Sequence, residues 1–216
     1  MKLQNFKYLS FVFALLASVS DAEAYFSTID NGELVAPGAY QVSLEPQLVL
    51  TNNEGFNVVG RLDTGIDQQS SARALLGVGK VDFQIGGFYK IVPFPDTATQ
   101  PAIGADFGAI VARVAGETET SLRFHPLTSK RFEAEVGDFT PYASLPIGVT
   151  WRSGSETTIP VQLVGGTEFR SLNHPNISYF AELGININRS FSYLSAALAY
   201  RFDDSMMSGR RNRVQQ

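Results

Sequence analysis

Polar and apolar residues alternate with a period of two along most of this chain. Early in the chain, for example, Tyr40, Val42 and Leu44 alternate with Gln41 and Ser43. Successive side chains of a β-strand point to opposite faces of its sheet, so this period predicts strands with one apolar and one polar face. No later stretch has a sustained helical period or the 18 consecutive apolar residues of a transmembrane helix. The sequence therefore predicts an all-β protein.

The alternation recurs in ten segments that are separated by turn signals rich in Gly, Pro, Asn and Asp. The predicted strands cover residues 39–51, 55–63, 71–78, 81–92, 102–114, 118–126, 138–152, 157–170, 176–187 and 190–202. Several are much longer than the roughly 5–6 residues usual in soluble domains. They reach the roughly 9–11 residues that a tilted strand needs to cross a bilayer.

Two arrangements could use such strands: a soluble β-protein with its apolar face inside, or a membrane barrel with its apolar face towards lipid. Aromatic residues cluster near the segment ends, as they do at a lipid–water boundary, which favours the barrel. The polar face carries acids and bases in balance, as a lumen with paired charges requires, although a solvated sheet could carry the same set. The predicted lumen ion-pair residues are Glu45, Arg61, Asp82, Lys90, Asp106, Arg123, Glu168, Arg170, Glu182 and Arg201.

The last segment places Leu198, Tyr200 and Phe202 on one apolar face that ends in an aromatic residue. This pattern resembles the closing strand of Gram-negative outer-membrane barrels, and the Pro-Tyr…Gly strand from Thr140 to Trp151 resembles strands of small barrels of the OmpA and OmpW type. The resemblance implies a single antiparallel, up-and-down transmembrane β-barrel of about ten strands (8–12) over residues 39–202. It also implies a location in the outer membrane, contact with outer-membrane lipid, and recognition of the closing strand by the barrel-assembly machinery.

The N-terminus has the order of a secretory signal peptide. Lys2 and Lys7 precede an apolar run over residues 8–20, and Ala22 and Ala24 form a small-residue cleavage site. We therefore expect residues 1–24 to be a signal peptide and Tyr25 to be the first mature residue. Residues 25–38 are expected to form a periplasmic lead-in and residues 203–216 a flexible C-terminal tail.

Composition and motifs exclude several functions. The net charge of −4 is opposite to that of a nucleic-acid-binding protein, and the absence of Cys excludes a thiolate metal site. No catalytic, cofactor-binding or metal residue is predicted, although His125 with Ser121 or Ser144 could form a Ser-His-acid group. The predicted function is a non-enzymatic structural or narrow-pore barrel with a largely filled, ion-paired lumen. The alternatives are a barrel enzyme acting on lipid, or a soluble periplasmic β-sandwich or ligand-binding protein.

Overall fold

The computed structural model describes residues 27–51, 54–152 and 156–203, in which every regular element is a β-strand. These residues include no helix that is long and apolar enough to cross a membrane. The strands are β1 (Ala39–Val49), β2 (Gly55–Gly65), β3 (Ser70–Gly79), β4 (Phe83–Phe94), β5 (Ala102–Val114), β6 (Glu117–Ser129), β7 (Phe132–Ala134), β8 (Gly137–Ser144), β9 (Ile147–Arg152), β10 (Val161–Ser171), β11 (Ile177–Asn188) and β12 (Tyr193–Asp203).

Antiparallel pairing closes these strands into a barrel. Each strand from β1 to β5 pairs with its successor, β10 pairs with β11, and β12 pairs with both β11 and β1. Strands β8 and β9 both lie between β6 and β10, so together they occupy one position in the ring. The short β7 pairs only with β8 and lies outside the ring. The predicted all-β antiparallel barrel of ten strands is therefore confirmed.

The break between β8 and β9 lies at Leu145 and Pro146, inside the segment that the sequence predicts as one strand. Proline has no N–H and so cannot donate to the sheet. The Pro146 carbonyl still accepts a hydrogen bond from the Gln162 backbone N–H at 3.0 Å, and the Leu145 N–H donates to the Pro126 carbonyl at 3.1 Å. These two hydrogen bonds join the break to β6 on one side and to β10 on the other.

The apolar face of the strands points outwards and the polar face points into the barrel. In the middle of β1, Leu44 is 57 % exposed, whereas the next residue, Glu45, is completely buried. The same contrast repeats along β11, where Leu183 is exposed and Glu182 is buried. This is the arrangement of a transmembrane barrel and the reverse of a soluble one.

The barrel has two rims with short connections. The terminal rim, where β1 begins and β12 ends, contains the connections 66–69, 95–101, 130–136 and 172–176. The opposite rim contains, among the described residues, the connecting residues 50–51, 54, 80–82, 115–116, 156–160 and 189–192. Leu198 and Tyr200 of the closing strand are exposed on the outer surface, and Phe202 at the terminal rim stacks on Tyr40 of β1 at 5.6 Å between ring centroids.

Candidate functional site

Residues 27–35, which we call the inner segment, lie inside the barrel. Thr28, Ile29, Asp30 and Asn31 are all at least 95 % buried, although the segment forms no strand. The chain then passes the terminal rim, where Pro37 makes a parallel bridge with Gly65, and enters β1. The sequence predicts a periplasmic lead-in over residues 25–38, and within it the structure places residues 27–35 against the inner wall of the barrel. Its buried backbone groups need hydrogen-bond partners, and the polar barrel wall supplies them.

Lys90 of β4 is the wall residue with the most contacts to the inner segment. Its ammonium group donates hydrogen bonds to Asp30 Oδ1 at 2.6 Å, to the Asn31 carbonyl at 2.9 Å and to the Glu33 carbonyl at 2.7 Å. These three acceptors supply the negative charge and lone pairs that a buried ammonium group requires.

Arg73 of β3 reinforces the same contact. Its guanidinium lies 3.2 Å from Asp30 and 2.6 Å from Asp63, and donates to the Thr28 carbonyl at 2.9 Å. Arg73 thus links the inner segment to an acid of the wall. Asp106, the cross-strand neighbour of Lys90, is also buried.

A second charged contact holds the other acid of the inner segment. Glu33 lies 2.6 Å from Arg170 and 4.0 Å from Arg201, and Arg170 also contacts Glu168 at 2.6 Å. The Asn31 side chain donates to the same Glu168. Both carboxylates of the inner segment are therefore paired with wall bases.

Glu182 of β11 accepts hydrogen bonds from both sides of the lumen. The Thr28 backbone N–H and hydroxyl donate to it at 3.1 and 2.8 Å, and the Tyr142 hydroxyl donates at 2.8 Å. The Tyr193 hydroxyl also donates to it. Four donors thus compensate the burial of this carboxylate.

Deeper in the barrel, Glu45 and Arg61 form an ion pair between neighbouring strands. The Ser27 hydroxyl donates to Glu45 at 2.5 Å and accepts a hydrogen bond from Arg61 at 2.9 Å. Ser27, the first described residue of the inner segment, therefore contacts both members of this ion pair.

Ile29 is the apolar anchor of the inner segment. It is packed against a patch of the inner wall formed by Tyr142, Val164, Phe180, Ala197 and Ala199. Its φ of 30° lies in the left-handed region, which is strained for a β-branched residue. The strained residue is therefore the one whose side chain packs into this patch.

The structure places nine of the ten predicted lumen residues on the inner wall. They are Glu45, Arg61, Lys90, Asp106, Arg123, Glu168, Arg170 and Glu182, which are buried or nearly so, and Arg201, whose side chain is 30 % exposed. Asp82 differs: it is exposed in the turn between β3 and β4, where it accepts a hydrogen bond from the Gly116 N–H at 3.1 Å. Strand β4 begins at Phe83, so the alternation does not extend to Asp82.

The sequence reasoning missed Asp30, Glu33 and Arg73 as parts of the lumen network. Arg73 lies in a stretch with a short helix-like pattern, and the two acids lie ahead of the first alternating segment. With Arg73 included and Asp82 left out, the described inner wall has seven bases and seven acids: Arg61, Arg73, Lys90, Arg123, Arg152, Arg170 and Arg201, against Glu45, Asp63, Asp106, Glu119, Asp138, Glu168 and Glu182.

The residues of the alternative Ser-His-acid hypothesis are buried on the inner wall, and His125 is the cross-strand neighbour of Asp106. The Ser121 hydroxyl, however, lies 2.8 Å from the Thr150 hydroxyl, and the Ser144 hydroxyl donates to the Pro126 carbonyl at 2.9 Å. Both serine hydroxyls are directed to these partners. Among the described residues, no group of His, Asp and Glu has the arrangement of a metal site.

A cavity of about 640 Å³ opens at the terminal rim. Glu33 of the inner segment and Lys130, Arg131 and Asp96 of the rim connections line it. Lys130 donates to Asp96 at 2.7 Å, and Arg131 contacts Asp138 at 2.5 Å, so the basic groups of this cavity are paired. The cavity exposes the end of the inner segment to solutes at this rim.

The predicted cleavage-site residues Ala22, Ala24 and Tyr25 lie outside the described residues, as do residues 204–216 of the predicted tail. Asp203, the first residue assigned to that tail, is the last residue of β12.

No family model and no curated protein sequence matches this chain. Solved structures that are similar to it include the translocator domain of the autotransporter NalP from Neisseria meningitidis, with 13 % identity over 92 % of this chain and 97 % of that chain and a TM-score of 0.44. The β domain of the Bordetella autotransporter Brka has 11 % identity over 78 % and 99 %, with a TM-score of 0.42. The attachment invasion locus protein Ail of Yersinia pestis has 15 % identity over 77 % and 99 %, with a TM-score of 0.29. The assignment of this chain as a closed antiparallel barrel follows from its own strand pairing.

Proposed function

We propose that the protein is an integral outer-membrane β-barrel of the structural or narrow-pore type, with a lumen that is largely filled and ion-paired. The observation that carries this proposal is the inner segment, which occupies the lumen and pairs its Asp30 and Glu33 with bases of the wall. A barrel of about 8 strands has an interior that side chains just fill, whereas about 16–18 strands leave an aqueous channel. A barrel of ten strands that also holds an inserted segment is close to the size at which side chains fill the interior.

The outer surface supports placement in a membrane. Large apolar side chains on it are 37–57 % exposed and occur on every strand position of the barrel. Soluble monomers rarely expose apolar patches larger than a few hundred Å². A strand such as β1, with 11 residues, spans about 28 Å when tilted by about 40°, close to the roughly 25 Å apolar band of outer-membrane barrels.

Aromatic side chains at the terminal rim support the same placement. Phe139, Phe169 and Tyr179 form a row across three neighbouring strand positions, with ring centroids 4.8 and 6.4 Å apart. Phe202 of β12 and Tyr40 of β1 extend this aromatic surface along the same rim. Tyr and Phe in such a row match the aromatic girdle of a membrane interface.

The proposal includes export and assembly. Cleavage after Ala24 would leave two residues ahead of Ser27, and the closing strand with Leu198, Tyr200 and Phe202 would serve as the signal for the assembly machinery. Outer-membrane lipid is the proposed partner of the outer surface. The proposed role is non-enzymatic and requires no cofactor.

Two measurements test the proposal. The protein should fractionate with the outer membrane and run faster on an unboiled than on a boiled SDS gel, because a closed barrel resists SDS until it is heated. In planar bilayers, it should give only small conductance steps. Large and stable porin-like steps from the wild-type protein would contradict a filled lumen, and extraction by alkaline carbonate would contradict integral insertion.

A further inference from the structure

Lys90, a buried cation of the barrel wall, uses the inner segment for its hydrogen bonds. In the part of the chain that the structure describes, every hydrogen bond of the Lys90 ammonium goes to Asp30, Asn31 or Glu33. The wall thus places a buried cation beside the Asp106 carboxylate, but the acceptors of its hydrogen bonds come from the inner segment. Without the segment, the ammonium group would need other acceptors.

The two acids of the inner segment are held in the same way. Asp30 is held by Lys90 and Arg73, and Glu33 is held by Arg170 with Arg201 at a longer distance. Guanidinium and ammonium groups arranged around a carboxylate are the usual means of binding a free acid. The segment thus occupies a carboxylate site as a tethered ligand.

The attachment of the segment differs from that of a strand. It forms no ladder with the wall, and its contacts are side-chain hydrogen bonds, ion pairs and the packing of Ile29, whose backbone is strained. Release of the segment would break these contacts without breaking any pairing between barrel strands. The cavity at the terminal rim gives solutes access to Glu33.

We propose that Arg73, Lys90, Arg170 and Arg201 form a binding site for small carboxylate anions, and that the inner segment is a displaceable occupant of this site. When the segment leaves, the lumen passes anions. This proposal rests on the proposed function, since it requires a barrel that spans the membrane.

The sign of the selectivity follows from the charges that remain. Where Asp30 and Glu33 leave, the four bases face three wall acids, Asp63, Asp106 and Glu168. Asp138, the cross-strand neighbour of Arg170, is paired with Arg131, and the other wall charges that contact the segment, Glu182 and the Glu45–Arg61 pair, lie at Thr28 and Ser27. The positive charge is therefore local to the carboxylate site, where it raises the concentration of anions and favours their passage. Carboxylates that pair with Lys90 should bind there and slow the passage of chloride.

The first test loosens the segment and leaves the wall unchanged. The double variant Asp30→Asn/Glu33→Gln keeps the size of both side chains and removes both charges. In planar bilayers with a KCl gradient, we expect channel openings several-fold more frequent than in the wild type, with a reversal potential shifted towards that of chloride. Succinate should block these openings. Adding Lys90→Gln should abolish the block and weaken the anion selectivity, whereas adding Arg113→Gln on the exposed outer surface should change neither.

The second test holds the segment in place. The natural sequence has no cysteine, so an engineered pair is the only disulfide that can form. A Cβ built at Gly32 would lie 2.9 Å from Ser129 Oγ, which is within disulfide reach, but it would also collide with Ala102 Cβ. The triple variant Gly32→Cys/Ser129→Cys/Ala102→Gly therefore provides the lock. We expect no openings when it is oxidised and restored openings after reduction, also when it is combined with Asp30→Asn/Glu33→Gln.

The results separate the two proposals. Cation-selective openings, an unchanged opening frequency in Asp30→Asn/Glu33→Gln, or equal currents from the oxidised and reduced lock would overturn the displaceable occupant while a heat-modifiable barrel in the outer membrane still stands. Loss of heat modification in the wild type would instead remove the proposed function itself. If the double variant fails to assemble, the lock in the otherwise native lumen decides the question alone.

Discussion

Asp30 accepts a hydrogen bond from Lys90 at 2.6 Å, although 60 residues separate the two in the sequence. Asp30 belongs to a segment without regular structure, and Lys90 belongs to the middle of a barrel strand. The contact joins the part of the chain ahead of the first strand to the inner wall. Together with the contacts of Glu182 and Arg170, it holds a segment without regular structure inside the barrel.

Glu182 should be one of the wall residues that contribute most to stability. Replacement by Ala removes the acceptor of four hydrogen bonds from Thr28, Tyr142 and Tyr193. Because a buried donor without an acceptor costs about 1–3 kcal/mol, we expect the free energy of unfolding to fall by at least about 3 kcal/mol. Urea unfolding in detergent or lipid, followed by tryptophan fluorescence, measures this change.

Two further variants control the Glu182 experiment. Glu182→Gln keeps one acceptor oxygen and should fall between the wild type and Glu182→Ala. Glu54→Gln, at an exposed position, should stay within about 0.5 kcal/mol of the wild type. A Glu182→Ala protein as stable as the wild type would show that the donors find other acceptors in the lumen.

Leu44 tests the orientation of the strands in lipid. It lies in the middle of β1 and is 57 % exposed on the outer surface. An arginine near the bilayer midplane on the lipid face of a barrel costs about 2–4 kcal/mol, so Leu44→Arg should strongly reduce the assembled fraction. Leu44→Phe, which keeps the position apolar, should assemble normally. Equal amounts of heat-modifiable Leu44→Arg and Leu44→Phe protein in the membrane would show that Leu44 does not face lipid.

Phe202 tests the closing strand. Its ring stacks on Tyr40 of β1 at 5.6 Å and on Tyr200 at 6.3 Å. Such aromatic pairs contribute about 0.5–1.5 kcal/mol beyond their buried area, so Phe202→Ala should weaken the closure of the barrel and slow assembly in a pulse–chase experiment. Phe202→Trp should behave like the wild type.

A truncation after Asp203 completes that comparison, because it leaves the pairing of β12 with β1 intact. We expect it to assemble faster than Phe202→Ala. The opposite order would place the assembly signal in residues 204–216 instead of in the closing strand.

Asp96, in the connection between β4 and β5, should make the terminal rim sensitive to acid. Partial burial raises the pKa of Asp96, but hydrogen bonds from the Lys130 ammonium and the Arg131 N–H bring this pKa below its ordinary value of 3.8. A lowered pKa means that the contribution of the contact is complete above pH 3.8 and is lost as the pH falls through the lower value of the folded protein. Protease cleavage of the 95–101 connection should therefore increase at acidic pH below 3.8.

Asp96→Asn provides the control for this acid effect. It should be cleaved more readily than the wild type at neutral pH, and its cleavage should depend less on pH over the same range. An identical pH profile for the two proteins would assign the acid sensitivity to another group. Pepsin is suited to the acidic range, and a protease that is active at neutral pH is needed for the comparison there.

The alternation of side chains is a local property, and it determined the strands and their two faces. Parity places Glu45 and Leu44 on opposite faces of the sheet, and the length of the strands with their aromatic ends indicated that the polar face is the inner one. Parity does not determine where a strand begins or ends. Asp82 has the inward parity but precedes Phe83, the first residue of β4, and Pro146 divides a segment whose parity alone indicates one strand.

The position of residues 27–35 inside the barrel was decided only by the tertiary structure. These residues have no period of two or of 3.6, because their backbone is satisfied by Glu182, Ser129 and Lys90 from distant strands. Their position depends on the closed barrel, which brings those side chains around one space. A chain segment whose partners lie up to 154 residues away leaves no local pattern in the sequence, and only the closed wall determines where its two acids bind.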